Sequence, residues 1–353
     1  MTDAPYDGSP TGSPPHFIAM TENRTLPTLL WPSSPRVEYT HVPRSVEETF
    51  QKEFPQLRIV VARTEETFLA GLPDCAILVT AKIQPEQFAL CRKLRWIHSP
   101  MAGVTSLLVP DLVASDIMVT NGRTVHSVPV AEQTLALMLA LARRLPASFR
   151  FQAERCWGQD ESWLPGKTPF ELQEKTLGMV GLGAIGQELV PRAKALGMRV
   201  IAVRRNAAKE ARMVDRGYPP AQLHEMLSQA DFVVLAAPDT PEMIRLIGAA
   251  ELQTMKPTAY LINVSRGTLV DTDALVKALR TGVIAGAGLD VTDPEPLPPE
   301  HPLWTLPNVL ITPHLGGASD RFWERECALL RENLRRYLAA EPLLNLVDKR
   351  LGY

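Results

Sequence analysis

The feature that most constrains this chain is the alternation of short apolar runs with segments of helical length. The first third of the sequence contains five such runs: Thr28–Trp31, Leu57–Ala62, Cys75–Thr80, Leu94–His98 and Ile117–Thr120. They are separated by segments long enough to be helices, namely Val46–Phe54, Thr64–Ala70 and Pro85–Leu90. Strands that are apolar throughout and alternate with helices predict a parallel sheet with helices on both faces.

A second alternating series begins at Thr176. It contains six strand-like runs: Thr176–Gly181, Arg199–Val203, Asp231–Ala236, Ala259–Val264, Val283–Val291 and Asn308–Thr312. The gaps are filled by four helical segments: Ala184–Leu196, Ala221–Gln229, Ala250–Met255 and Asp271–Arg280. Six strands joined by helical crossovers predict a doubly wound Rossmann sheet.

The segment between the two series carries the strongest helix signal in the chain. We predict a helix over Ser127–Leu145, with Ser127 as its N-cap and Pro146 as the residue that stops it. The apolar residues of this helix lie on nearly all of its sides, which is typical of a helix buried between domains or subunits. The irregular stretch that follows, Cys156 to Glu174, contains tryptophan, and we expect it to form an arm over a surface.

A length of 353 residues suits two domains rather than one. The chain ends in a predicted helix, Ser319–Ala339, that comes too late to belong to the second sheet. We therefore expect the second domain, residues 125–315, to be inserted into a discontinuous first domain. That first domain would consist of residues 26–124 and 316–353, after a disordered N-terminal tail at 1–25 that is rich in proline, glycine and serine.

Composition argues against several classes of partner. A net charge of −2 disfavours nucleic acid and anionic membranes as partners, because both need a basic face. No apolar stretch is long enough to span a bilayer, and the N-terminus has no features of a secretory signal. The four cysteines show no metal-binding spacing, so we expect no metal, reduced thiols and a cytoplasmic protein.

A glycine-rich motif stands at the start of the second series. The sequence Gly181-Leu-Gly183-Ala184-Ile185-Gly186 follows an apolar strand and opens a helix, which is the context that a dinucleotide-binding turn requires. Its glycines allow a tight turn and let the backbone approach a pyrophosphate. The N-terminus of the helix supplies unpaired N–H groups and the positive end of a dipole. We expect all five named residues to bind a nicotinamide cofactor.

The end of the next strand bears on which cofactor binds. Folds selective for NAD place an acid there, whereas this chain has Arg204 and Arg205 and no carboxylate before Glu210. Two guanidinium groups suit a 2′-phosphate, so NADP(H) is the expected cofactor and NAD(H) remains possible. The alternative is that both arginines are simply solvated.

Three chemically distinct residues follow three strands of the second series. Arg266 follows the strand that ends at Val264, Glu295 follows the one that ends at Val291, and His314 follows Thr312. Ligands of parallel sheets bind beyond the carboxyl ends of the strands. A guanidinium, a proton donor and a carboxylate that keeps the donor charged are what the reduction of a 2-oxo acid needs.

With these motifs the chain resembles the D-isomer-specific 2-hydroxyacid dehydrogenases. The resemblance runs from about residue 28 to 347 and rests on the glycine motif, Val264-Ser-Arg-Gly267, Leu289-Asp290 with Asp293-Pro-Glu-Pro296, and Thr312-Pro-His314, in that order. It implies a flavodoxin-like substrate domain built from both chain ends around a central NAD(P)-binding Rossmann domain. It also implies a homodimer formed through the helix and arm of residues 127–174.

The resemblance also implies residue roles. His314 would be the acid/base and touch both substrate and cofactor, Glu295 its hydrogen-bond partner, and Arg266 the anchor of the substrate. The loop Ser99–Val104 matches the family's carboxylate-binding loop, which assigns Met101, Ala102 and Gly103 to the substrate. Further cofactor contacts are assigned to Ala237, Pro238, Thr240, Val264, Ser265 and Asp290.

The expected function is therefore that of a D-2-hydroxyacid dehydrogenase, or 2-oxo acid reductase, which transfers a hydride between NAD(P)H and a small 2-oxo acid. A nucleotide-sensing regulator or corepressor-like protein could keep the same fold. Such a protein would be marked by loss of Arg266, Glu295 or His314, and all three are present. Which 2-oxo acid is the substrate does not follow from the sequence.

Overall fold

The computed structural model describes residues 26–34, 40–205 and 213–353. The predicted tail at 1–25 lies outside these ranges. The first five strands form one sheet in the order β2-β1-β3-β4-β5, and the pairs β1–β2, β1–β3 and β3–β4 are parallel. The strands are β1 Thr28–Pro32, β2 Arg58–Ala62, β3 Cys75–Val79, β4 Trp96–Ser99 and β5 Met118–Asn121. The helices are α1 Arg44–Glu53, α2 Glu65–Gly71, α3 Pro85–Leu90 and α4 Pro110–Ala114.

Buried side chains explain why these segments form the interior of the sheet. All five residues of β3 are buried, as expected for a central strand that is covered on both faces. Two polar side chains of β4 bond to Thr120 of β5: the indole N–H of Trp96 donates to its hydroxyl, and His98 Nδ1 lies 2.8 Å from the same oxygen. His98 is fully buried and is a structural histidine.

Three helices follow the first sheet: α5 Ser127–Ala142, α6 Leu145–Ala153 and the short α7 Gln159–Ser162. The predicted helix over Ser127–Leu145 was therefore wrong at its C-terminal end. Pro146 does not stop a helix but lies in the first turn of α6. An N–H at that position would have no partner within the helix, so proline loses no hydrogen bond there. Ser127 is not the N-cap either, because His126 occupies that position and the Ser127 hydroxyl donates to the Thr124 carbonyl.

The second sheet has seven strands, all parallel, in the order β12-β11-β10-β9-β6-β7-β8. Its strands are β6 Thr176–Val180, β7 Arg199–Val203, β8 Arg216–Tyr218, β9 Phe232–Leu235, β10 Tyr260–Asn263, β11 Gly286–Leu289 and β12 Val309–Ile311. The helices are α8 Ala184–Ala195, α9 Leu223–Leu227, α10 Ala249–Thr254 and α11 Thr272–Thr281. The last helix of the chain is α12 Phe322–Leu338. The predicted α/β fold with two parallel sheets is confirmed.

The prediction of six strands in the second series missed β8. This strand has only three residues, Arg216-Gly217-Tyr218, and pairs with β7 at the edge of the sheet. Tyr218 alone is buried, so no apolar run marks the strand in the sequence. Pairing with β7, rather than local propensity, makes this segment extended.

Two apolar cores cover the two faces of the second sheet. One joins β-strand residues such as Val233 and Leu261 to residues of α9, α10 and α11. The other joins residues such as Leu177 and Val234 to α5 and α8. A helix layer on each face leaves the carboxyl ends of the strands as the place where a ligand can enter.

The chain forms two compact units. The first consists of the described residues up to Ser99 together with Ser106–Thr120 and Cys327–Leu346, and it is therefore discontinuous. The second consists of Pro100–Thr105, Asn121–Glu326 and Val347–Tyr353. Within the described residues, no helix is both long and apolar enough to cross a membrane.

Candidate active site

The glycine motif forms the turn between β6 and α8. Gly181 has φ +92°, and a Cβ there would lie 2.6 Å from the carbonyl oxygen of Ala236, just beyond β9. Gly186 packs so closely that a Cβ would lie 2.8 Å from a methyl carbon of Leu182. By contrast, a Cβ on Gly183 would meet nothing within 4 Å. This open space lies at the N-terminus of a helix and at the switch point between β6 and β9, so the turn fits a pyrophosphate.

The two arginines of the cofactor prediction follow β7. The Arg204 side chain is half-buried, and its backbone N–H donates to the carbonyl of Tyr218. Arg205 is exposed; its guanidinium lies 3.5 Å from Glu242 and donates to the hydroxyl of Tyr353. The predicted carboxylate Glu210 lies outside the described residues.

The loop after β9 holds three predicted cofactor residues. Ala237 is buried, Pro238 is exposed, and the backbone N–H of Thr240 donates to the Pro238 carbonyl at 3.2 Å. The Thr240 side chain is buried, and its hydroxyl donates to the carboxylate of Glu242 at 2.7 Å. Both of these hydrogen bonds are to residues of the same loop, so Thr240 contributes to the conformation of that loop.

The loop after β10 positions Arg266. Asn263 is 1% exposed; its amide oxygen accepts from the Ser265 N–H at 3.1 Å, and its amide nitrogen donates to the Arg266 carbonyl at 2.8 Å. The Ser265 hydroxyl donates to the carbonyl of Ala237 and ties this loop to the one after β9. Val264, which lies between Asn263 and Ser265 in the sequence, is buried. Both polar groups of Asn263 are therefore used to hold the turn that carries the guanidinium.

The predicted substrate loop meets this guanidinium. A Cβ on Gly103 would overlap Nη2 of Arg266, so the side chain of Arg266 lies directly against Gly103. The loop is held by its carbonyls: that of Met101 accepts from the Gly122 N–H at 3.0 Å, and that of Ala102 accepts from the Asn121 amide at 2.7 Å. The structure thus brings Gly103 of the predicted substrate loop to the guanidinium of Arg266.

His314 and Glu295 form a close pair. Nδ1 of His314 lies 2.6 Å from a carboxylate oxygen of Glu295. Both side chains are about half exposed, so a ligand can reach them. With Nδ1 bound to a carboxylate, Nε2 is the ring nitrogen that can deliver a proton. β10, β11 and β12 are neighbours in the sheet, so Arg266, Glu295 and His314 follow three adjacent strands.

Asp290, predicted to contact the cofactor, holds the loop that carries His314. Its carboxylate is 3% exposed and accepts three hydrogen bonds: from the Thr312 hydroxyl at 2.6 Å, the Leu315 N–H at 3.0 Å and the Gly316 N–H at 2.8 Å. Its carbonyl accepts from the His314 N–H at 2.8 Å. His314 itself has φ +52°, which is uncommon for a residue with a side chain, and these bonds hold it there.

The sequence interpretation missed three residues that support this site. Asn263 holds the Arg266 turn, Thr312 bonds to Asp290, and Gln133 of α5 donates from its amide to the Thr312 hydroxyl at 2.9 Å. The only sequence signal was a polar residue at the end of an apolar strand, as with Asn263. Gln133 had no signal, because its partner is 179 residues away in the sequence.

Both ring nitrogens of His126, which lies between β5 and α5, are within hydrogen-bond distance of backbone carbonyl oxygens. Nε2 lies 2.9 Å from the Pro100 carbonyl, and Nδ1 lies 3.0 Å from the Gly317 carbonyl. It therefore connects the start of the substrate loop with the loop after His314. This is a structural role.

Comparison with known proteins identifies the family. A family model described as the NAD binding domain of D-isomer specific 2-hydroxyacid dehydrogenases matches residues 135–316. The glyoxylate reductase of Thermococcus litoralis is 39% identical over 274 residues, which cover 77% of this chain and 82% of that protein. The chain belongs to the D-isomer specific 2-hydroxyacid dehydrogenase family. The resemblance inferred from the motifs is confirmed.

Solved structures of dehydrogenases from this family share the fold. A family protein from Aeromonas salmonicida is 31% identical, with a TM-score of 0.78 over 92% of this chain and 100% of that one. The NADPH-dependent glyoxylate/hydroxypyruvate reductase of Sinorhizobium meliloti, solved with NADP and sulfate, is 25% identical, with a TM-score of 0.77 over 93% of this chain and 100% of that one. This dehydrogenase is therefore an oxidoreductase that uses a nicotinamide cofactor on a small 2-oxo or 2-hydroxy acid, and the regulatory alternative is not favoured.

Proposed function

We propose that this chain reduces a small 2-oxo acid of the glyoxylate and hydroxypyruvate class, with His314, Glu295 and Arg266 as its catalytic residues. The observation that carries the proposal is the 2.6 Å contact between Nδ1 of His314 and the carboxylate of Glu295. These two residues follow the strands next to the one that precedes Arg266. Relatives that are named glyoxylate reductases support the substrate class.

The roles follow from the chemistry of the groups. The guanidinium of Arg266, against the loop of Met101, Ala102 and Gly103, binds the substrate carboxylate and polarises the C2 carbonyl. When bound, the nicotinamide cofactor supplies the hydride. Nε2 of His314 donates the proton that the developing alkoxide needs, and the carboxylate of Glu295 stabilises the imidazolium.

The test is reduction of a panel of 2-oxo acids by the purified chain, with glyoxylate and hydroxypyruvate first. We expect His314→Ala to lower kcat by about 10²–10⁴, the contribution of a positioned acid. His224→Ala is a matched control, because His224 also pairs with a glutamate, Glu251 at 3.1 Å, but away from these strand ends. Near-normal turnover in His314→Ala would contradict the mechanism.

We also propose that NADP(H) is preferred over NAD(H), with Arg204 and Arg205 binding the 2′-phosphate. Their position after β7 and the exposure of Arg205 support this proposal. A bidentate contact between arginine and phosphate contributes about ten- to a hundredfold in selectivity. NADPH should therefore exceed NADH in kcat/KM, and Arg204→Asp with Arg205→Ser should reduce or reverse that ratio. A wild-type preference for NADH would refute the assignment.

We further propose a homodimer formed through the arm. The arm surface consists of apolar side chains that are exposed in the single chain: Leu139, Leu145, Phe149, Trp157, Trp163 and Leu164. Several large apolar side chains exposed on one part of a chain are typical of an interaction site, and a second copy of the same chain is the commonest partner.

The free thiols of all four cysteines are consistent with the cytoplasm, which we propose as its location.

A further inference from the structure

The segment after α12 returns to the second unit and ends in an organised turn. Val347 is buried, and the carboxylate of Asp348 accepts from the backbone N–H groups of Arg350 at 2.9 Å and Leu351 at 3.1 Å. The Asp348 N–H donates to the main-chain oxygen of Tyr353 at 3.0 Å. These bonds close the turn on itself, so Tyr353 is held in a defined place.

That place is beside Arg205, 148 residues earlier in the sequence. Nη1 of Arg205 donates to the Tyr353 hydroxyl, and the guanidinium carbon lies 5.5 Å from the centre of the Tyr353 ring. On the other side, Nη2 lies 3.5 Å from a carboxylate oxygen of Glu242. A guanidinium has five N–H groups, which is more than the contacts with Tyr353 and Glu242 use.

Glu242 is a charged neighbour of this guanidinium. The pKa of Glu242 is lowered, chiefly by the hydrogen bond from the Thr240 hydroxyl and further by the charge of Arg205. A carboxylate at this position attracts Arg205 and repels an incoming phosphate. The side chain of Tyr353, in contrast, contacts the same guanidinium through an uncharged hydroxyl and ring.

We propose that Tyr353 determines cofactor selectivity by holding Arg205 in place for the 2′-phosphate, while Glu242 competes with that phosphate for the same guanidinium. The proposal rests on the proposed preference for NADP(H). An arginine that is already fixed loses less rotamer freedom on binding, which corresponds to about three- to tenfold in affinity. The selectivity would thus depend on a residue that is far in the sequence from the glycine motif and from β7.

The test uses ligands that carry only the adenosine end of the cofactor. We would titrate 2′,5′-ADP and 5′-AMP into the purified full chain by calorimetry, without nicotinamide or substrate. Tyr353→Ala should weaken 2′,5′-ADP by about three- to tenfold and leave 5′-AMP nearly unchanged. Glu242→Gln should tighten 2′,5′-ADP. Leu351→Ala, an exposed side chain in the same turn, is the control, and thermal melting verifies that each variant folds.

The possible outcomes separate the two proposals. If the wild type binds both nucleotides equally, the NADP(H) preference is wrong and the role of Tyr353 falls with it. If the wild type is selective and Tyr353→Ala keeps the full ratio, only the role of Tyr353 is wrong. Equal weakening of both nucleotides would place Tyr353 on the shared adenosine, and unchanged binding in Glu242→Gln would contradict the competition. Tyr353→Phe separates the hydroxyl from the ring, and we expect a smaller loss of 2′,5′-ADP affinity than in Tyr353→Ala.

Discussion

At the scale of single residues, the pairing of His314 with Glu295 makes a prediction about the rate of reduction. Glu295→Gln removes the negative charge beside the imidazole of His314 and keeps the shape of the side chain. We expect kcat for reduction to drop by about ten- to a hundredfold, part of what a positioned acid contributes.

The measurement is the single-turnover rate of reduction, which excludes product release from the observed rate. Glu251→Gln serves as the control, because Glu251 pairs with His224 outside the site. If Glu295→Gln reduces the substrate at the wild-type rate, the two residues do not act as a pair.

A second prediction concerns Asp290, whose carboxylate accepts three hydrogen bonds from the chain around His314. Asp290→Asn places an amide NH₂ or a weaker acceptor opposite backbone N–H groups. Hydrogen bonds to a charged group contribute about 1.5–3 kcal/mol, so we expect a loss of stability of that order and a lower kcat. Chemical denaturation and steady-state kinetics measure the two effects.

The same variant tests the proposed cofactor contact of Asp290. If Asp290 acts only by positioning His314, the dissociation constant for NADPH should be almost unchanged. If its carboxylate also holds the nicotinamide carboxamide, NADPH should bind more weakly, and 2′,5′-ADP, which has no nicotinamide, should bind as before. An unchanged kcat would refute the positioning role.

At the scale of elements, the turn before α8 contains two glycines with different roles: the backbone requires Gly181, and we assign Gly183 to cofactor binding. Nothing lies within 4 Å of a Cβ on Gly183, and its φ of −89° suits any residue. Gly183→Ala should therefore fold with the stability of the wild type. The added methyl would occupy space that we assign to the pyrophosphate, so we expect about tenfold weaker NADPH binding, or roughly 1.4 kcal/mol.

Gly181→Ala is the contrasting variant. At Gly181 both the φ of +92° and the contact with the Ala236 carbonyl exclude a side chain, so this variant should lose stability. Thermal melting and calorimetric titration of NADPH distinguish the two effects. Wild-type NADPH affinity in a folded Gly183→Ala variant would show that the pyrophosphate does not lie at this turn.

At the scale of the whole molecule, the arm surface predicts the oligomeric state. Phe149 is 62% and Trp163 71% exposed in the single chain, which is unusual for side chains so large. We expect the wild type to sediment as a dimer. The double variant Phe149→Glu and Trp163→Glu should sediment as a monomer, because it places charge in an apolar interface. Trp304→Glu is the control, because it makes the same kind of substitution at an exposed tryptophan outside the arm surface, and it should remain dimeric. A monomeric wild type would contradict the proposal.

The sequence alone determined the class of fold and the order of most elements. Apolar runs and helical segments are local signals, so β3, α3 and β7 could be placed within a residue or two. The glycine motif could be placed as well, because its meaning depends only on the strand before it and the helix after it. Parallel strands end at one edge of a sheet, so the residues after β10, β11 and β12 could be grouped without a structure.

Only the tertiary structure decided which side chains meet. The three-residue strand β8 exists because β7 pairs with it, and α5 ends at Ala142 before a second helix that has Pro146 in its first turn. The contacts between Gly103 and Arg266, Gln133 and Thr312, and Arg205 and Tyr353 join residues more than a hundred positions apart. Such contacts depend on how loops from different strands converge, and no local pattern of apolar and polar residues records that convergence.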